Sequence, residues 1–386
     1  MSVKLMPEIT NGISNELSIS KESLVSEKEY IKKCQEGVLF DGKRIKVAEP
    51  KVSFLIPVYN KAKYLPLALR SVQNQSLRDI EIVCLDDGST DNSVEVVEKF
   101  QKDDPRIVLY KHEKNIGLVT TRAHLGQYAK GKYLMCFDPD DAYCSPDIAK
   151  KAYEKAEKTS TDIVHFKSLT EGPEGTYRLA RKPSTISVII KPPQLIDSFL
   201  NKKKNTAINT IVLWDKLVSK TAYLAAINFL GEKRWENHIC ISEDLLQTFA
   251  ILNVTKSYVG LDHIGHLYRP NVDSTTHKAY EMHGTKFVNP QKSNCSILDR
   301  ITVCKFIFEL CKNTPKGKAM AVRIFKRRSF PQDSIKKAIA ISDHLDKCKE
   351  LIKMFLDCEY VSKNDKKYIK KYLRDVEKLV PKKGKK

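Results

Sequence analysis

The chain has 386 residues, 41% hydrophobic and 30% charged, a balance that excludes wholesale disorder and leaves room for two or three domains. Lys and Arg number 67 against 47 Asp and Glu, and residues 312–386 alone hold 23 of the cations and 9 of the anions. No run of about 18 apolar residues occurs, which excludes a membrane-spanning helix.

The opening MSVKLMPEITNGISNELS has no apolar core and no small-residue cleavage site, so no secretory leader is expected. The ten cysteines include no CxxC pair, and Cys84, Cys136 and Cys240 sit inside apolar runs. That excludes a CxxC zinc site and predicts reduced thiols in a cytoplasmic protein.

Residues 1–50 read as a polar N-terminal extension with one helix near Glu27–Gln35. Lys51 opens a different pattern. VSFLIPV (52–58) is a continuous apolar run, as in a strand buried on both faces. Asn60 is placed to cap a helix carrying Tyr64, Leu65, Leu67, Ala68, Leu69 and Val72. Strands follow at IEIVCLDD (80–87), RIVLYK (106–111), KYLMCFD (132–138) and DIVHF (162–166). Helices are predicted between them, from Asp91 or Asn92 to Phe100, over Thr120–Ala129 and over Pro146–Lys158. This alternation predicts an α/β fold with a mainly parallel central sheet flanked by helices. Residues 168–190, with Gly172, Pro173 and Gly175, read as a loop or insertion. Further elements are expected at Ile211–Val218, Ser242–Leu252 and Ser257–Tyr268. From about Asn289 onward only helix is expected, broken at Pro315, Pro331 and Pro381.

The acidic residues carry the chemistry. In an open parallel sheet, ligands bind outside the carboxyl ends of the strands. Strand one ends in Pro57-Val58-Tyr59-Asn60, strand two in Asp86-Asp87-Gly88-Ser89 and strand four in Asp138-Pro139-Asp140-Asp141. Each acidic motif alone is an ordinary turn. Together they put five carboxylates along one sheet edge, where they repel unless a cation intervenes. Hard oxygen ligands at this density suit Mg²⁺ or Mn²⁺ with a substrate diphosphate.

Residues 51–166, with NIGLVTTRAHLGQYAKGKYLMCFDPDD at their centre, resemble the nucleotide-sugar domain of glycosyltransferase family 2, which has the GT-A fold. A thinner resemblance continues through LWDKL (213–217), SED (242–244) and HLYRPNVDSTT (266–276). The resemblance implies a nucleotide-sugar half at 51–168 and an acceptor half with the catalytic base at 169–280, and the residues themselves read as a helical, basic region at 281–386.

It also implies roles. Pro57 and Tyr59 would contact the base, and Asp87 would accept a hydrogen bond from a pyrimidine. Asn115, Gly117 and Arg122 match the N-x-G…R stretch that precedes strand four, with Arg122 expected near the phosphates. Asp138 and Asp140 match the D-x-D motif, one carboxylate on the ribose and the other on Mn²⁺ or Mg²⁺. Asp244 matches the base. Asp141, Glu243, Trp214 and His266 are further candidates. Each has a plain alternative: Glu243-Asp244 as the first turn of a helix, Trp214 as a core residue, and His263 and His266 as structural histidines. Processive synthases of this type carry Q-x-x-R-W after the base; here Gly231 fills the Gln position and Arg234-Trp235 precedes Glu243.

The implied activity is inverting, metal-dependent transfer of one sugar, from a UDP-sugar in the first instance, to a glycan, lipid-linked or protein hydroxyl. The alternative is a degenerate GT-A protein that binds a nucleotide sugar or glycan without transfer. The basic C-terminus has three readings: a solvated helical pair packed on the rest of the chain, peripheral contact with an anionic membrane, or nucleic-acid binding. No recognisable nucleic-acid module supports the last.

Overall fold

A computed structural model of the chain describes residues 21–40, 44–172, 175–183, 186, 188–192, 194–195, 211–239, 242–271, 290–311, 315–326, 336, 339 and 345–380. The chain divides into two compact units, Met1–His238 with Ala250–Asn271, and Ile239–Phe249 with Val272–Lys386.

The first unit is built on one sheet. Its strands are β1 (Val52–Val58), β2 (Ile80–Asp86), β3 (Ile107–Lys111), β4 (Tyr133–Cys136), β5 (Ala142–Tyr143), β6 (Ile163–Glu171), β7 (Tyr177–Arg181), β8 (Lys216–Ser219) and β9 (Tyr258–Tyr268). The order is β3-β2-β1-β4-β8-β6-β9-β5, with β7 on β6. Pairing is parallel across β3, β2, β1 and β4. Beyond β4 it is mixed: β8 runs antiparallel to β4 and β6, and β9 parallel to β6. Every residue of β1 and of β2 is buried, which is why both are rich in apolar residues, Glu81 and Asp86 being the charged residues that β2 buries.

Helices α2 (Leu65–Gln73), α3 (Ser93–Asp103), α4 (Leu118–Tyr128) and α5 (Ile148–Thr159) connect the strands. Leu65, Ala68, Leu69 and Val72 form the helical apolar stripe that α2 lays on Phe54, Ile56 and Ile82. Asn60 does not cap this helix; α2 starts after Tyr64, with a Pro in its first positions. The stretch expected as a loop at 168–190 instead continues β6 to Glu171 and returns as β7, an antiparallel hairpin.

The N-terminal extension joins the same unit. Helix α1 (Lys21–Gln35) buries Tyr30, Ile31 and Cys34 in a second cluster with Leu67, Ala142, Cys144, Leu169, Ile264 and Leu267. Tyr30 donates its hydroxyl to Ser71 O at 2.8 Å, and Asn74 Nδ2 donates to Val38 O at 2.8 Å. Helices α6 (Lys220–Leu230) and α7 (Glu232–Trp235) follow β8.

Helix α8 (Glu243–Val254) carries residues of both units. The second unit continues with α9 (Pro290–Leu310), α10 (Pro315–Ile324), α11 (Leu345–Asp357) and α12 (Lys363–Glu377). Pro315 opens α10, the helical position that tolerates proline best. Phe325 joins α11 to α12 through edge contacts with Phe355 and Tyr372, both at 5.3 Å. Cys34, Cys84, Cys136, Cys144, Cys304, Cys311 and Cys348 are free and buried. Among the described residues, no helix is long and apolar enough to cross a membrane.

Candidate functional site

The ends of β1 and β2 are laced together by short polar side chains. Asn60 adopts the left-handed region, at φ 52°. This turns its Oδ1 toward the loop after β2, where it accepts the Thr90 N–H at 2.8 Å. Lys61 N–H donates to Ser93 Oγ at 2.8 Å, and Ala62 N–H to Asp91 Oδ2 at 3.1 Å. So Asn60, expected as a helix cap, is a cross-loop tie, and it leaves Tyr59 45% exposed beside it. Pro57 is buried within β1.

Asp86 and Asp87 divide the work at the end of β2. Asp86 Oδ2 accepts the N–H groups of Gly88 (3.2 Å) and Ser89 (3.1 Å), closing the turn. Gly88 has φ 73°, and a Cβ there would lie 2.7 Å from Asn115 N. The turn therefore needs glycine for both its conformation and its close approach to residues 114–115. Asp87 is 4% exposed and reaches the opposite way. It accepts the Ile116 N–H at Oδ1 and the Gly117 N–H at Oδ2, both at 3.0 Å. His112 Nδ1 lies 2.8 Å from Asp87 Oδ1, and its Nε2 lies 2.9 Å from His124 Nδ1. Burial, reinforced by His112, lowers the His124 pKa. With His124 Nδ1 as donor to His112 Nε2, His112 Nδ1 is left to donate to Asp87 Oδ1. Asp87 thus fixes the segment that carries Asn115 and Gly117. A carboxylate accepts about four hydrogen bonds, so one acceptor position remains beyond these three.

The acidic turn after β4 holds two ion pairs. Arg122, buried in α4, donates from Nη2 to Asp138 Oδ1 at 2.8 Å. Lys61 Nζ lies 2.6 Å from Asp140 Oδ2, which also accepts from Asn271 Nδ2 at 3.1 Å. Asp141 is 1% exposed and accepts the Arg269 N–H at 2.8 Å. Its Oδ2 lies 3.3 Å from His266 Nε2. Burial, with the charges of Asp140 and Asp138, pushes the Asp141 carboxyl well above the usual carboxylate range. Burial also pulls His266 down to about 3.

The structure thus forms two bonded groups: Asp87 with Gly117 beyond β2, and Asp138, Asp140 and Asp141 with Arg122 and Arg269 beyond β4. Lys61 and Asn271 are bonded to the second, and sequence reasoning passed over both. Lys61 follows strand one's carboxyl end directly, which was the available signal. His112, just beyond the end of β3, carried the same signal.

Trp214 and His266 occupy the core. Trp214 is 3% exposed and stacks on His266 at 4.0 Å, with the Arg181 guanidinium 4.7 Å from its ring centroid. Beside it Lys216 Nζ donates to Val212 O and Asp215 Oδ1, and Asp215 Oδ2 lies 3.2 Å from His165 Nε2. Burial would raise the Asp215 carboxyl, but Lys216 and His165 outweigh it and hold it low. The W-x-K-L segment is therefore a buried anchor, the plain alternative for Trp214. His263 lies 2.8 Å from Ser145 Oγ. Glu243 and Asp244 open α8, in the second unit. The residues beyond Asn271 in the HLYRPNVDSTT stretch lie outside the described residues.

No group of three or more His, Cys, Asp or Glu side chains converges as a metal site among the described residues. Two carboxylates completed by a substrate diphosphate are nevertheless what Mg²⁺ usually takes, and Asp138 and Asp140 supply that pair. Each now faces a cation, so a dication bound there would have to displace or reorient Lys61.

Residues 53–218 match the family model described as "Glycosyl transferase family 2". The chain is 32% identical over 114 residues to "Glycosyltransferase GlyG" of Streptococcus pneumoniae serotype 4, covering 29% of this chain and 37% of that protein. It is 29% identical over 238 residues to "Uncharacterized glycosyltransferase EpsJ" of Bacillus subtilis, covering 60% of this chain and 64% of that protein. The chain thus spans less than two thirds of the length of either relative. The crystal structure of S. aureus TarS 1–349 in complex with UDP-GlcNAc superposes with a TM-score of 0.60 at 16% identity, covering 84% of this chain and 89% of that one. That likeness establishes the fold, of GT-A type.

Proposed function

We propose, for a chain whose residues 53–218 match the model of glycosyl transferase family 2, that the protein is an inverting, metal-dependent glycosyltransferase. It moves one sugar from a UDP-sugar to a hydroxyl of a glycan, lipid-linked or protein acceptor. The observation that carries this reading is the acidic turn beyond β4, where Asp138 pairs with Arg122 and Asp140 with Lys61 of the segment that follows β1.

Residues 51–168 form the donor half and residues 169–280 the acceptor half in this reading. Tyr59 offers an exposed ring beside Asp87 for stacking on a base. Asp87 uses its remaining acceptor position for the base, and the segment it holds presents Asn115 and Gly117. Arg122 and Lys61 supply positive charge for a diphosphate. Asp138 and Asp140 would hold Mn²⁺ or Mg²⁺, which stabilises charge on the departing nucleoside diphosphate. Asp244 takes the acceptor hydroxyl proton as that oxygen bonds to the anomeric carbon and the bond to the diphosphate breaks. The TarS complex supports UDP as the nucleotide to try first.

The test is thermal stabilisation of the full chain by UDP, GDP, dTDP and CDP, each with Mn²⁺ or with EDTA. A nucleotide at 100 times its Kd stabilises by about 2.7 kcal/mol. The expected result is a shift with UDP and metal that Asp140→Ala abolishes. No shift with any nucleotide overturns the donor site. Asp244→Asn should retain the UDP shift and lose sugar transfer; loss of both would remove Asp244 from the role of base.

A further inference from the structure

We propose that the outer face of α12 is an electrostatic docking surface for an anionic lipid bilayer. Lys363, Lys367, Lys370, Lys371 and Arg374 on this helix, and Lys378 at its C-cap, are all exposed. At about 100° per residue these six positions fall within an arc of about 100°, and at 1.5 Å per residue they run for about 22 Å. Ile369, Tyr372 and Val376, the buried residues of α12, point the opposite way. Packing therefore uses one face and leaves the other as a continuous row of cations.

The anions of the helix do not neutralise this row. Asp365 is paired with Lys326 at 2.7 Å and accepts the Ser362 hydroxyl. Glu377 lies 3.8 Å from Lys349 of α11. None of Asp365, Asp375 and Glu377 falls inside the arc of cations. Six like charges on one helix face repel one another, and among the described residues none of the six is held in an ion pair. An anionic surface is the ligand that turns this repulsion into attraction.

Three features favour a lipid surface over a nucleic acid. The row is straight and borne by one helix. Five of its six cations are lysines, compact point charges that suit a field of headgroups and lack the guanidinium fork. No aromatic or amide side chain lies inside the row to stack on or read a base; Tyr368 lies on its flank, under Lys326. The row ends at Leu379 and Val380, which are 37% and 36% exposed. Apolar residues at that end of a cationic face suit the boundary between headgroups and acyl chains.

The test is sedimentation of the full chain with vesicles of phosphatidylcholine alone and of phosphatidylcholine with 30 mol% phosphatidylglycerol. Binding is expected only to the anionic vesicles, lost in 0.5 M NaCl. Lys363→Glu, Lys367→Glu, Lys370→Glu and Arg374→Glu combined should weaken it at least tenfold, with an unchanged melting temperature. Removing residues 381–386, which add four lysines in sequence, should retain most of the binding. Equal binding to both vesicle types, or binding that follows residues 381–386 and ignores the four substitutions, overturns the proposal. Tighter binding of a random-sequence RNA through the same four residues overturns it in favour of nucleic acid. Nucleotide-induced stabilisation is measured in parallel, so failure here is separable from failure of the donor site.

Discussion

Lys61 Nζ and Asp140 Oδ2 are 2.6 Å apart, across 79 residues of sequence and between the ends of β1 and β4. The pair is mostly shielded, with side-chain exposures of 16% and 14%. A divalent cation arriving at Asp140 must compete with this ammonium. Lys61→Met should therefore raise the affinity for Mn²⁺ without nucleotide by about tenfold, the equivalent of about 1.4 kcal/mol. Titration of Mn²⁺ by electron paramagnetic resonance reads this directly. In the same variant, UDP should bind more weakly in EDTA, because a cation facing the diphosphate is gone. Unchanged Mn²⁺ affinity would mean that Lys61 does not compete for Asp140.

Asp87 accepts from two backbone amides and an imidazole within one buried carboxylate. Asp87→Asn keeps the shape and turns one acceptor into a donor facing another donor. The expected cost is about 1–3 kcal/mol in urea unfolding. Faster amide exchange at Ile116 and Gly117 should accompany it. A stability change without altered exchange there would place the cost elsewhere.

Gly117 has φ 96°, and a Cβ would lie 3.0 Å from His238 Cα. Gly117→Ala combines backbone strain with a backbone clash, so a loss of about 1–3 kcal/mol is expected. Gly175, also at positive φ but with nothing within 4 Å, is the control. Gly175→Ala should cost less than Gly117→Ala in the same thermal melt.

Several histidines are held neutral by burial. His263 is lowered to about 4 by burial and by Lys151, against the opposing Asp147 and Asp262. His124 and His165 are lowered in the same direction, burial being the largest cause for each. Each binds its proton more weakly folded than unfolded. As pH drops below about 6.5 the unfolded chain takes up protons first, so stability falls. The melting temperature should be lower at pH 5.5 than at pH 7.5, and His263→Gln should narrow the difference. A melting temperature that rises toward pH 5.5 would contradict this.

The first half of the sheet was legible because its strands are buried on both faces. VSFLIPV and IEIVCLD carry their burial in composition, and the helices between them show a clear apolar stripe at Leu65, Ala68, Leu69 and Val72. The β6–β7 hairpin was not legible. β7, Tyr177–Arg181, is only half-buried and reads as polar, and its place depends on pairing with β6. Asn60 misled for a related reason. It is a good helix cap by type, but its oxygen meets Thr90, 30 residues away, before it can meet the helix. At the site, the carboxylates were legible because strand ends announce them. Their partners Lys61, His112 and Asn271 were not, since an unremarkable lysine, histidine or asparagine gains a role only when a distant strand end folds against it.

The N-terminal helix gives the acidic turn a backstop. Ala142 and Cys144, just beyond Asp141, press on the same cluster as Tyr30, Ile31 and Cys34 of α1. A protein trimmed to begin at residue 51 would keep every carboxylate of the turn and lose Tyr30, Ile31 and Cys34 from the cluster behind it. The turn would keep its bonds to Arg122, Lys61, Arg269 and Asn271, with Leu67, Leu169, Ile264 and Leu267 as the remaining apolar support. Residues that precede the recognisable domain therefore help set how firmly its acidic edge can grip.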